Sequence, residues 1–306
     1  MAFSSVGIFL RGLLMGAADI VPGVSGGTVA FITGIYDELL ASIRAVDLEF
    51  LARLSRLDVV GAWQHINGKF LLALLLGIAT SIFSLAQLVS WILDYHPVPL
   101  WAFFFGLILA SALVLLREVD RWSAPNGFFL LLAGAVAVCI ALSPVMSLEV
   151  GLAGVFFAGF VAVCAMILPG ISGSFILVLL GMYSTTLVAL KSLDLVFILV
   201  FVVGAGCGLL CFSRLLHWLL QRFHQRTMAV LTGFLFGSLV VVWPWKRVLE
   251  WVEGSHGQLK PAQQFPVSPL DYQVYTGQDP QIWFCLSLMI AGFAIVWVIH
   301  AYWRQD

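Results

Sequence analysis

Two short stretches of this chain set proline, glycine and hydroxyl side chains inside otherwise apolar sequence: VPGVSGGT from Val21 to Thr28, and LPGISGS from Leu168 to Ser174. Proline lacks an N–H and disfavours helix at the residue before it, and glycine reaches backbone conformations that other residues avoid. Each stretch should therefore open a helix into a loop. Ser25 and Ser172 can cap the helix that resumes beyond each loop, leaving backbone N–H groups and the positive end of the helix dipole directed at it. That is the chemistry of an anion site built without a basic side chain. The candidate binding groups are Pro22, Gly23, Ser25, Gly26, Gly27 and Thr28 in the first loop and Pro169, Gly170, Ser172, Gly173 and Ser174 in the second.

Ionisable residues near these loops are few. Asp19 stands three residues before Pro22, where a carboxylate can hold a proton or a cation, or pair with Arg11. Its counterpart before the second loop is Met166, so the two loops are not chemically equal. Arg11 is a further candidate ligand for an anion, against the alternative that it snorkels to the interface. Glu38 is a second candidate coupling group; it and Asp37 could equally mark a helix end. Arg214, late in its apolar run, is expected to snorkel. A bland reading of PGxSG as a packing kink exists, but a kink alone does not require the same proline, glycine and serine twice.

The elements that must position these groups are membrane helices. Of 306 residues, 61% are hydrophobic and 10% charged, with a formal net charge of −1, whereas soluble domains carry about a quarter charged residues. A bilayer core of roughly 30 Å needs about 20 apolar residues. Runs of that kind cover 70–93, 100–116, 127–145, 194–216, 227–245 and 282–303. Two further regions, 5–43 and 150–190, are each long enough for two passes but are broken at the two loops, and read as re-entrant pairs.

The chain also repeats itself. The offset that places Pro22 on Pro169 aligns Gly23, Ser25, Gly26, Gly34 and Tyr36 with Gly170, Ser172, Gly173, Gly181 and Tyr183; a second offset matches Gly77, Trp91, Gly106 and Ser111 to Gly204, Trp218, Gly233 and Ser238. The expected fold is an all-α polytopic membrane protein of two inverted repeats, 1–146 and 147–306, each a broken pair followed by three spans. Charge gives the orientation: the segment 44–69 carries Arg44, Arg53, Arg56 and Lys69, and Arg117, Arg121, Arg222 and Arg226 fall on the same side, while 94–99 and 144–149 hold no Lys or Arg. Both termini are then cytoplasmic. The segment 246–281 is expected outside, as a proline- and glutamine-rich loop.

Other functions are disfavoured. The net charge offers no basic excess for nucleic acid. Cys139, Cys164, Cys207, Cys211 and Cys285 sit in apolar runs without a CxxC pair, and the histidines lack ligand spacing, so neither a metal site nor any other cofactor is expected. No Lys or Arg precedes the first apolar run and Arg11 interrupts it, so a cleavable signal is not expected there. The residues alone lead to a transporter of some anion, a small-anion secondary transporter included.

The segments GLLMGAADIVPGVSGGTVAFITGIYDELLASI and CAMILPGISGSFILVLLGMYSTTLVAL resemble the bacterial and archaeal family of PopT-type polyprenyl-phosphate transporters, and the resemblance spans essentially the whole chain. It implies a non-enzymatic flippase of the bacterial cytoplasmic membrane. Such a protein returns undecaprenyl phosphate from the outer to the inner leaflet for envelope glycan synthesis. Coupling to a proton or sodium ion is instead an expectation from Asp19 and Glu38, and the sequence leaves a homo-oligomer open. Undecaprenyl pyrophosphate phosphatases carry a related motif with an arginine where Gly26 and Gly173 stand here, together with clustered glutamates that this chain lacks. Phosphate-ester cleavage needs charge at the attacking and leaving oxygens, so the departure favours holding the phosphate over cleaving it.

Overall fold

Ser4 accepts the Gly7 amide at 3.1 Å and starts α1 (Ser5–Asp19). Its 15 residues span about 22 Å at ~1.5 Å per residue, short of a full crossing. The chain resumes as α2 (Gly26–Ile32), breaks again and continues as α3 (Tyr36–Arg44). Two short helices, α4 (Leu48–Ser55) and α5 (Val59–His65), lead to the long α6 (Gly68–Tyr95), α7 (Pro97–Arg117) and α8 (Ala124–Leu142). The pattern then recurs as α9 (Leu152–Ile167), α10 (Gly173–Leu179), α11 (Tyr183–Lys191), α12 (Leu195–Arg222) and α13 (His224–Ser238). A hairpin of β1 (Lys246–Glu253) and β2 (Leu259–Pro266), then α14 (Pro269–Thr276) and α15 (Ile282–Trp303), complete this computed structural model, which describes residues 4–20, 25–119, 122–143, 151–253 and 259–303.

Among the described residues, five helices are long and apolar enough to cross a membrane: α6, α7, α8, α12 and α15. The pair α10 and α11 would make a sixth span but for a bend of 108° at its break. The protein is a multi-pass helical membrane protein. Large apolar side chains such as Phe83, Leu131, Leu199 and Trp283 stand exposed on its outer helices, as a lipid-facing surface requires, and α7 is the most enclosed span.

Both sequence offsets recur in the element bounds. The one that carries Pro22 onto Pro169 carries α2 onto α10 and α3 onto α11, and the one that carries Gly77 onto Gly204 carries α6 onto α12. Packing follows the same plan: α1 lies on α6 and α9 on α12, while α13 packs on α8 and α15 on α7. The last two pairs each join the N-terminal part of the chain to the C-terminal part. Small residues permit these contacts, as membrane helices without a hydrophobic driving force require. A Cβ at Gly12 would overlap the Leu74 carbonyl oxygen, and one at Gly159 the Phe201 carbonyl oxygen.

Two segments differ from the sequence reading. The run read as 227–245 is helical only to Ser238, where the Ser238 carbonyl accepts the Val241 and Val242 amides at 2.9 and 3.3 Å and turns the chain out of the helix. The expected loop 246–281 is folded: Lys246 pairs with Pro266 and Arg247 with Phe265 in an antiparallel hairpin. Trp243 and Trp245 fasten it, their indole N–H groups donating to the carbonyls of Val267 and Pro280 at 2.8 and 2.9 Å.

Candidate functional site

The two loops meet, and the first holds the second. Ser25 takes extended backbone angles and its Oγ accepts the Gly27 amide at 3.1 Å, the expected cap of α2. The same hydroxyl donates toward the carbonyls of Met166 and Leu168, at 3.1 and 3.2 Å. Thr28 Oγ1 accepts the Gly170 amide at 3.1 Å, and the Tyr36 hydroxyl donates to the Ile167 carbonyl at 3.0 Å. Opening a helix at Pro169 orphans backbone groups that cannot go unpaired in a membrane. Three hydroxyls from the first broken region pair with the carbonyls of Met166, Ile167 and Leu168 and the amide of Gly170. Gly27 is required at this crossing, because a Cβ there would fall 2.7 Å from the Ile167 carbonyl oxygen.

The acid of the first loop is also engaged. Gly26 donates its amide to Asp19 Oδ1 at 2.6 Å, so the carboxylate that ends α1 faces the start of α2. Pro22 and Gly23 lie outside the described residues. Pro169 is buried beside Gly170, whose φ of +89° only glycine adopts readily and where a Cβ would crowd Leu235 at 3.1 Å.

The second loop is differently arranged. Ser172 precedes α10 without capping it; its hydroxyl instead pairs with that of Ser174 at 2.8 Å. Ser172 borders a cavity of about 10 Å³, also lined by Gly170, Phe175, Ser238 and Val241. A space of that size holds one water at most, so a phosphate enters only if the walls move apart.

A second break, at Gly34 and Gly181, divides each returning arm. Both glycines have positive φ, +73° and +69°. Around them Ile35 and Met182 donate to Ala30 and Leu177 at 3.0 and 2.9 Å, the six-to-one bond of a Schellman motif. The pairing of Gly34-x-Tyr36 with Gly181-x-Tyr183 was the sequence signal for it.

The remaining candidates sit apart from this crossing. Arg11 is buried, and its Nε donates to the Thr33 carbonyl at 3.2 Å, at the opposite end of α2 from Ser25. Glu38 accepts from the Asn67 side chain at 2.8 Å on an exposed surface, and Asp37 is exposed beside it. Arg214 donates to the Val46 carbonyl at 3.1 Å, also at an exposed position. Among the described residues no group of three His, Cys, Asp or Glu side chains is placed to hold a metal ion.

Residues 15–260 match the model of a family described as VCA0040-like, undecaprenyl phosphate translocase-like. The chain is 46% identical over 294 residues to a protein of Vibrio cholerae serotype O1 named polyprenyl-phosphate transporter, covering 96% of each. It is 31% identical over 253 residues to a Staphylococcus aureus protein of the same name, covering 77% of this chain and 85% of the relative. No solved structure matches it. With the broken regions and the spans between them falling within the matched residues, the chain belongs to the VCA0040-like, undecaprenyl phosphate translocase-like family.

Proposed function

We propose that this protein transports a polyprenyl phosphate, undecaprenyl phosphate in the bacterial cytoplasmic membrane, carrying the head group from the outer to the inner leaflet while the chain stays in lipid. The observation that carries the reading is the crossing of Ser25, Thr28 and Tyr36 with residues 166–170, which brings two broken helical regions from distant parts of the chain to one place. The names of the two relatives supply the substrate class.

In this reading residues 1–146 and 147–306 are inverted repeats with both termini cytoplasmic, as the Lys and Arg asymmetry indicates. The phosphate is taken by backbone N–H groups and hydroxyls of Ser25 to Thr28 and of Ser172 to Ser174, with Pro22, Gly23, Pro169 and Gly170 shaping the loops. The closed cavity beside Ser172 is the occluded form, and access to either side requires the hydroxyl contacts across the crossing to part.

Asp19 is the coupling group. Its carboxylate holds the Gly26 amide, a donor that an incoming phosphate would also claim, and two anions cannot share that donor without a positive charge between them. A proton or cation on Asp19 removes the competition, so binding of head group and of cation become linked. Returning the lipid inward moves negative charge toward the negative side of the membrane, against about 2.3 kcal/mol per charge per 100 mV, and a co-transported cation offsets that work.

The experiment is transfer of undecaprenyl phosphate between leaflets of proteoliposomes containing the pure protein. Release of inorganic phosphate from undecaprenyl pyrophosphate would make the protein a phosphatase instead, and uptake of a water-soluble anion would make it a small-anion transporter.

A further inference from the structure

Away from the loops the structure holds a far larger space, a groove of about 610 Å³ between the hairpin and α14, walled by Trp243, Leu249, Phe265 and Tyr275 and carrying Arg247 and Asp271. The Trp243 ring that forms part of it packs edge-on against Phe105, near the middle of α7, centroids 5.4 Å apart, so the groove adjoins a span. Its size suits a head group with a few apolar carbons, within the roughly 300–1,000 Å³ of small-molecule sites, and not a whole polyprenyl chain.

The charged groups of the groove are not equivalent. Asp271 is committed to α14: its Oδ2 accepts the Ser268 hydroxyl at 2.7 Å, and Ser268 Oγ accepts the Asp271 amide at 3.1 Å. Arg247 has its Cζ 4.4 Å from the Tyr275 ring centroid, and among the described residues no carboxylate pairs with it. A guanidinium stacked on a ring keeps its in-plane N–H donors for a planar or tetrahedral oxyanion. The preceding residue, Lys246, is turned away from the groove. Its ammonium lies 3.9 Å over the Trp101 ring and bonds the Val241 carbonyl. Both contacts are neutral, and withdrawal from water pulls the ammonium down to about 7. An arriving anion would relieve that cost. Val241, the acceptor, is itself a wall of the small cavity at Ser172. Lys246, next to Arg247 in β1, is thus linked through Val241 to the cavity at Ser172.

We propose that the groove is the receiving site, on the outer face, for the phosphate end of a polyprenyl phosphate. Arg247 takes the phosphate, the aromatic and aliphatic walls take the first isoprene units, and Lys246 is the next cation on the way to the second loop. This rests on the transport reading and its orientation, but it is separable from them by direct binding.

The test uses the full-length protein in nanodiscs, titrated calorimetrically with farnesyl phosphate, farnesol and inorganic phosphate. Arg247→Gln is expected to weaken farnesyl phosphate by about tenfold, the value of one charge-assisted phosphate contact, and to raise the half-saturating concentration of undecaprenyl phosphate in transport to match. Arg53→Gln, on the opposite face in this orientation, is expected to change neither. Lys246→Gln is expected to slow transport at saturating lipid. Unchanged farnesyl phosphate affinity in Arg247→Gln overturns the receiving site, and so does binding of farnesol or inorganic phosphate as tight as that of farnesyl phosphate. An unchanged rate in Lys246→Gln removes that residue from the path. Arg247-dependent binding by protein that moves no lipid would leave the groove standing and defeat the transport reading; transport with no dependence on Arg247 would do the reverse.

Discussion

The amide of Gly26 donates to the carboxylate of Asp19 across 2.6 Å, so an acid at the end of α1 caps a helix that begins beyond the first loop. An ionised acceptor makes this one of the stronger hydrogen bonds available to a backbone amide. It also ties the charge of one residue to the availability of a donor in the loop. The equivalent position before the second loop is Met166, which cannot titrate, so the two loops share a backbone plan and differ in chemistry.

Asp19→Asn keeps a side chain able to accept from Gly26 and removes the ionisation. Transport by this variant is expected to lose its dependence on an imposed pH or sodium gradient while the protein still binds lipid, measured by leaflet transfer in proteoliposomes with and without each gradient. Wild-type gradient dependence in the variant would move the coupling role to Asp37, Glu38 or bulk electrostatics.

Gly26 and Gly173 are equivalent in sequence but not in what surrounds them. A Cβ on Gly26 would fall 2.6 Å from the Asp19 carboxylate, the end of a side chain that can swing away, whereas one on Gly173 would fall 2.7 Å from the backbone oxygen of Ala162. Gly26→Ala is therefore expected to lose transport with little change in thermal unfolding. Gly173→Ala should force α10 off α9 and cost about 1–3 kcal/mol, the usual range for overpacking. Equal destabilisation by the two would contradict the difference drawn between the loops.

The sequence carried the loops and the spans because proline, glycine and apolar run length act locally. The capping role of Ser25 was legible for the same reason, through its place before Gly26 and Gly27. What Ser25, Thr28 and Tyr36 hold was not, since their partners at 166–170 lie more than a hundred residues away and offer only backbone. The break at Gly34 and Gly181 was present as a repeated Gly-x-Tyr but was absorbed into one returning helix, because apolar periodicity continues through it. The hairpin from Lys246 to Pro266 was hidden by its Pro261 and Gln263, Gln264, which read as loop until a paired strand supplies the missing contacts.

Asp47 gives the structure a pH response outside the spans. Its carboxylate is held below the usual carboxylate range, first by the Phe50 amide at 2.9 Å and then by His65 at 3.1 Å. A depressed folded pKa contributes stability that is present above the unfolded value of about 3.9 and is lost as pH falls through the folded one. Amide exchange in α4, corrected for its intrinsic rate, is expected to rise as pH falls below about 4. Asp47→Asn still caps but does not titrate, and should reduce that rise, leaving the share of Glu49, which Arg53 also holds below the usual carboxylate range. A rise of undiminished size in the variant would place its cause elsewhere.

Orientation is open to labelling. In a background cleared of Cys139, Cys164, Cys207, Cys211 and Cys285, of which Cys139, Cys207 and Cys211 are exposed, single cysteines at Arg53 and Gln263 are expected to react from opposite sides of intact cells with an impermeant maleimide. Reaction of both from one side would overturn the inverted arrangement.

The most direct measurement is the rate at which undecaprenyl phosphate leaves the outer leaflet of proteoliposomes, followed with an impermeant phosphate-binding probe. Reconstituted protein is expected to speed the loss well above that of empty vesicles without releasing inorganic phosphate, and Gly26→Ala is expected to bring it back to the empty-vesicle rate. Loss at the empty-vesicle rate with folded wild-type protein under an imposed pH or sodium gradient would contradict transport of this lipid, and undiminished loss in the variant would contradict passage of its head group by the loops.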